Sequence, residues 1–106
     1  MRIHKPKIVD LSRNLISDWP NSANDSFETK NPLEVESLII SNNKLSAINL
    51  LVIRETFSKL IKLDLRSNNI LFISQFSNLP TLEVLDLGCN RLTMVPAKFF
   101  ESVANL

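Results

Sequence analysis

"LDLRSNNILFISQFSNLPTLEVLDLGCNRLTMVP", Leu63 to Pro96, writes one pattern twice: Leu63, Leu65, Asn68 and Ile70 return as Leu85, Leu87, Asn90 and Leu92. A catalytic constellation is needed once, so a recurring pattern argues for architecture before chemistry. Aligning the rest of the chain on Asn14, Asn43, Asn68 and Asn90 extends it. Five residues before each stand Val9, Leu38, Leu63 and Leu85, and three before stand Leu11, Ile40, Leu65 and Leu87. Two after come Ile16, Leu45, Ile70 and Leu92; five after come Trp19, Ile48, Ile73 and Val95. Every one of these slots is apolar in a chain that is only 44% hydrophobic, so the register is not an accident of composition. Val35, Leu60 and Leu82 continue the match eight residues before, where Pro6 breaks it.

Alternating apolar residues five and three before each Asn predict a short strand that sends two side chains inward, because side chains change face at every step of a strand. Where the chain then turns, an Asn offers one acceptor and two donors to backbone groups that no ladder reaches. Asn14, Asn43, Asn68 and Asn90 are therefore expected to form a buried column.

The pattern L-x-x-L-x-L-x-x-N-x-L resembles the leucine-rich-repeat family along nearly the whole length of the chain. The spacings between the four Asn residues, 29, 25 and 22, fall in or at the edge of that family's range. The resemblance implies an α/β solenoid: an arc with a short parallel concave sheet of four strands and an irregular or helical convex side. Residues 1–106 are then a single leucine-rich-repeat domain of about four repeats. Within the family, "IVDLSRNLISDW" (Ile8–Trp19) and "LEVESLIISNNKL" (Leu33–Leu45) resemble the opening repeats of tubulin-folding cofactor E, which implies tubulin as a partner. The short final spacing is also similar to that of spliceosomal A-prime proteins.

On the convex side, "DWPNSANDSFETKNP" is polar, carries two prolines and predicts a loop over Trp19 and Phe27. "SAINLLVIRETFSKL" predicts a helix of about three turns across its middle. "ISQFSNLP" is short enough for only a 3₁₀-like turn, anchored by Phe76 and Leu79, and Pro96 predicts the start of a helical turn. Phe100, Val103 and Leu106 match the lead-in to a fifth repeat, so the domain reads as open at its C-terminal end. Repeat arrays need terminal caps; either the chain is a fragment or something else covers that end.

Composition narrows the chemistry. A net charge of +1 gives no electrostatic footprint for nucleic acid or membrane, leaving phosphate contact only to the basic head, Arg2, Lys5 and Lys7. No apolar run approaches a membrane span, and the start of the chain lacks a signal-peptide core. One cysteine, Cys89, fits a reducing compartment, so cytoplasmic or nuclear residence is expected. A single glycine, Gly88, excludes Gly-rich phosphate loops. His4, the only histidine, lies away from any motif, and Cys89 before Asn90 reads as a buried or half-buried structural thiol. No cofactor, metal site or catalytic residue is expected, and the chain reads as a non-enzyme.

The face left to a partner is set by the outward positions of the strands. From this register the expected partner-binding residues are Ile8, Asp10, Ile39, Lys62, Asp64, Arg66, Val84 and Asp86. Ile8, Ile39 and Val84 are the apolar contacts, and the charged residues orient. Asp64 and Asp86 become lateral neighbours, a like-charge pair that needs Lys62, Arg66 or Arg91 nearby. An acid/base role for that pair is excluded by an open arc without a desolvating pocket. The mixed face fits a protein partner, whether docked reversibly or as part of a large assembly such as a ribonucleoprotein.

Overall fold

Leu38, Leu63 and Leu85 stand side by side, each in the middle of a three-residue strand, and Val9 joins them at one edge. In the computed structural model, which describes residues 7–17 and 34–93, seven elements follow one another. They are β1 (Ile8–Asp10), β2 (Ser37–Ile39), β3 (Ala47–Asn49), α1 (Leu50–Thr56), β4 (Lys62–Asp64), β5 (Phe72–Gln75) and β6 (Val84–Asp86). Strands β1, β2, β4 and β6 form one parallel sheet in that order, with Val9, Leu38, Leu63 and Leu85 in register. A parallel sheet of four short strands with few helices fits the repeat fold expected above. Trp19, Phe27, Val95, Pro96, Phe100, Val103, Leu106 and the head residues Arg2, His4 and Lys5 lie outside the described residues.

One core runs under the sheet. Leu38, Ile40, Leu45, Leu63, Leu65 and Ile70 are fully buried, and Phe57, Leu60, Leu79 and Leu82 close it from the other side. The end coils are different. Val9 and Ile16 at one end, and Leu85, Leu87 and Leu92 at the other, pack on the core but remain partly exposed. Among the described residues an inner coil has a neighbour on each side and an outer coil has one, and identical slots bury unequally.

The asparagine column follows the same logic. Asn68 donates from Nδ2 to the carbonyls of Ile40 (3.0 Å) and Leu65 (3.0 Å) and accepts at Oδ1 from the Leu45 amide (3.1 Å). Asn43 repeats this one coil earlier, on Leu11, Ile40 and the Ile16 amide. Asn90 repeats it one coil later, on Leu65, Leu87 and the Ile70 amide. Each Asn thus serves its own turn and the coil before it. Asn43 and Asn68 are buried, but Asn90 is half-buried and Asn14 exposed, so the expected column of four buried amides has two buried members. Asn14 bonds only its own turn, at Leu11 and Ser12, because no described coil precedes β1.

Just before each Asn the backbone is left-handed, at Arg13, Asn42, Ser67 and Cys89, with φ of 58°, 57°, 57° and 55°. This kink turns the chain off the sheet. It also aims the amides of Arg13, Asn42 and Ser67 at the carbonyls of Ser41, Arg66 and Gly88 in the following coil. Non-glycine residues occupy all four sites, at a local cost of about 1–2 kcal/mol each.

The segments that link the strands of the main sheet depart from expectation in two places. The helix is seven residues long, not three turns, and β3 precedes it. Asn49 stops the strand and starts the helix: its backbone is extended (φ −109°, ψ 102°) and its Oδ1 accepts the Val52 amide at 3.0 Å. The segment expected as a 3₁₀-like turn begins instead as β5, which pairs with β3 through Ala47–Phe72 and Ile48–Ile73 in a second, two-stranded parallel sheet. Leu79 is buried as expected, whereas Phe76 is 38% exposed.

Candidate docking face

The side of β1, β2, β4 and β6 turned away from the core carries two rows fixed by the strand register. One is Ile8, Ser37, Lys62 and Val84; the other is Asp10, Ile39, Asp64 and Asp86. Ile8 is 60% exposed and Val84 47%, both large apolar side chains standing free at the sheet's edges. Ile39 is half-buried between Asp10 and Asp64, and Lys62 and Arg66 are exposed.

The aspartates hold the strand ends. Asp10 Oδ1 accepts the Ser12 amide (2.9 Å), Asp64 Oδ1 the Arg66 amide (3.1 Å) and Asp86 Oδ1 the Gly88 amide (2.9 Å). Each carboxylate therefore caps an N–H two residues on, where the chain leaves the sheet. This is the physical reason for Asp at that slot. At Asp10 the hydrogen bonds from the Ser12 hydroxyl and amide hold the carboxyl below its ordinary range.

Asp64 and Asp86 are lateral neighbours, as the register requires, and Arg66 lies between them. Its Nε is 3.4 Å from Asp64 Oδ1 and 3.4 Å from Asp86 Oδ2. Of the three cations that the sequence offered for this place, the structure puts Arg66 there. Room for it comes from Gly88, where a Cβ would stand 3.1 Å from Asp86 Oδ1 and 3.6 Å from Arg66 Cγ. Sequence reasoning treated Gly88 only as a rarity, although its position two residues after Asp86 was the available signal. Asp64 is 5% exposed with Oδ1 committed to Arg66, so it supports the face from beneath and offers a partner little surface. The residues that a partner can reach are Ile8, Asp10, Ile39, Lys62, Arg66, Val84 and Asp86.

Elsewhere the described residues form a cavity of about 200 Å³ lined by Arg54, Phe57, Leu60, Leu79, Pro80 and Leu82. It lies across the core from the sheet, and Arg54, its one charged group, donates to Ser77 Oγ (3.1 Å) and Asn78 Oδ1 (3.0 Å). Cys89 is exposed, not the buried or half-buried thiol expected, and its backbone takes the left-handed conformation of the turn. Among the described residues no three His, Cys, Asp or Glu side chains gather as metal ligands, and no helix is long and apolar enough to cross a membrane.

Comparison with known families agrees with this architecture. A family model described as Leucine Rich repeats (2 copies) matches residues 58–98, the stretch that contains β4, β5 and β6, and supports a leucine-rich-repeat protein. Repeats of this family generally mediate protein–protein interaction and are generally non-enzymatic. No curated protein and no solved structure matches the chain.

Proposed function

We propose that this chain is a non-catalytic protein-interaction module, a leucine-rich-repeat solenoid inside the cell that docks a partner protein on its concave strand face. The observation that carries the reading is the mixed face itself: Ile8, Ile39 and Val84 among Asp10, Lys62, Arg66 and Asp86, on strands whose register is fixed by buried leucines and asparagines. Apolar side chains held in place on an open sheet, ringed by charges of both signs, match the makeup of a protein–protein contact better than that of a phosphate-binding surface.

Affinity purification of tagged wild-type chain beside Ile39→Asp tests this. The expected result is a co-purifying protein that is lost with Ile39→Asp while the chain stays folded by circular dichroism, with a lowered melting temperature from the added like charge. Retention of the same partner by Ile39→Asp removes the concave face from the proposal. A permanently docked subunit of a ribonucleoprotein makes a different demand: binding through Arg2, Lys5 and Lys7 weakens steeply with salt and on neutralising those residues. Recovery of tubulin in the same purification would favour the cofactor E-like reading, which rests on residues 8–19 and 33–45.

A further inference from the structure

We infer that the crevice between the end of α1 and the segment leading into β6 is a second docking site, one that takes a partner peptide presenting a large apolar side chain with an Asp or Glu beside it. The site goes beyond the concave face, lies across the core from it, and stands or falls without it.

The crevice has a cause in the sequence. The coil that carries α1 runs 25 residues from Asn43 to Asn68, and the next runs 22, from Asn68 to Asn90. The shorter return leaves the end of the helix incompletely covered, at the cavity of about 200 Å³. Its walls are the buried Phe57, Leu60, Leu79 and Leu82, with Arg54 and Ser58 exposed at its rim. Every residue that lines it falls within 54–82, inside the described residues. Protein interiors are close-packed, so an apolar gap forfeits contacts that an inserted side chain restores. A cavity of about 150 Å³ holds a benzene ring, whereas pockets for cofactors and drug-sized molecules run to roughly 300–1,000 Å³. The crevice therefore fits one aromatic or long aliphatic side chain, the kind of anchor on which a protein contact turns.

Arg54 supplies the charge. It stands in the last turn of α1, and its Nη1 donates to Ser77 Oγ (3.1 Å) and Asn78 Oδ1 (3.0 Å) in the next coil. Those bonds hold the guanidinium in place but engage one nitrogen. Among the described residues its Nε and Nη2 have no partner. The Nε–Nη2 edge is a fork that receives a carboxylate through two parallel bonds. Arg66 is the contrast, because its Nε already stands between Asp64 and Asp86. Of the other charges near in sequence, Lys59 adds a second exposed cation, and Glu55 and Glu83 do not line the cavity. An apolar slot with a pre-placed guanidinium at its rim selects an apolar residue that adjoins a carboxylate.

Phenylacetate, a ring joined to a carboxylate, is the probe; phenylacetamide and acetate are its uncharged and ringless controls. Titrated into isotope-labelled chain, phenylacetate is expected to shift the amides of residues 54–60 and 79–82 while Leu38 and Leu63 stay unmoved. It is expected to bind about threefold or more tighter than phenylacetamide, an advantage that added salt erodes, and acetate is expected to shift neither set. Arg54→Gln should bring the two ring compounds to equal affinity. Ser58→Trp, at a rim position whose side chain makes no hydrogen bond among the described residues, should fill the mouth and abolish the shifts while circular dichroism shows the fold retained. Peptides selected by display on the wild-type chain and counter-selected on Ser58→Trp are expected to share an apolar residue beside Asp or Glu. Equal binding of phenylacetate and phenylacetamide to the wild-type chain, shifts at Lys62 and Arg66 instead, or selected peptides without an acidic residue overturns the inference. Ile39→Asp should leave the phenylacetate shifts intact, so failure of the concave face and failure of the crevice are read separately.

Discussion

Removal of the Asn68 amide orphans the Leu45 N–H inside the core and takes one of two bonds from the carbonyls of Ile40 and Leu65, which Asn43 and Asn90 still serve. At about 1–3 kcal/mol for the one orphaned buried amide, Asn68→Ala is expected to lower stability by about that amount, read as a fall in the urea midpoint. Asn14→Ala, which loses two exposed local bonds, is expected to cost less than ~1 kcal/mol. The sequence marked all four residues as one class, and their bonding to their own turns is one class. What alignment did not carry is the direction of the ladder: Asn43, Asn68 and Asn90 each bond the turn before their own, and among the described residues Asn14 bonds only its own turn. At Ser67, φ of 57° favours glycine. Ser67→Gly is expected to raise stability by up to ~1 kcal/mol and Ser67→Val to lower it by a similar amount or more, both measured by thermal melting. Acid acts through Asp10. Because its folded carboxyl titrates below 3.8, its capping contribution is present above that pH and is lost as pH falls through the lower folded value. An NMR titration midpoint for Asp10 at or above 3.8 contradicts that cap.

The strands of the main sheet were legible because inward slots five and three before each Asn form a period-two pattern backed by repetition. The convex elements were not, for a definite reason. Strands β3 and β5 each contribute one inward aliphatic, Ile48 and Ile73, and a single apolar slot has no period. Around α1, the apolar run from Leu50 to Ile53 fits strand and helix alike, and the boundary is decided by one side chain, Asn49. Asn49→Ala should therefore cost about 1 kcal/mol and loosen the first turn of the helix, seen as faster amide exchange at Val52. The register of the outward rows was legible in the sequence, but their depth was not. Asp64 entered as a partner contact because strand alternation turns it outward; Arg66 and Gly88 decide that it is covered.

Across the described residues, burial falls from the middle coils outward, with Leu38, Leu63 and Leu65 fully enclosed and Val9 and Leu85 only partly so. Leu63→Ala in the middle should cost about 2–5 kcal/mol, and Leu85→Ala at the edge clearly less. The described coils share one interior, and the asparagine amides tie each turn to the turn before it. Native-state hydrogen exchange at the Leu45 amide tests that claim most directly, since this loop N–H owes its protection to Asn68 Oδ1 alone. Leu45 is expected to exchange as slowly as the inner strand amides, and to lose that protection in Asn68→Ala; exchange at the rate of a free loop in the wild-type chain would contradict the shared interior and the docking face built upon it.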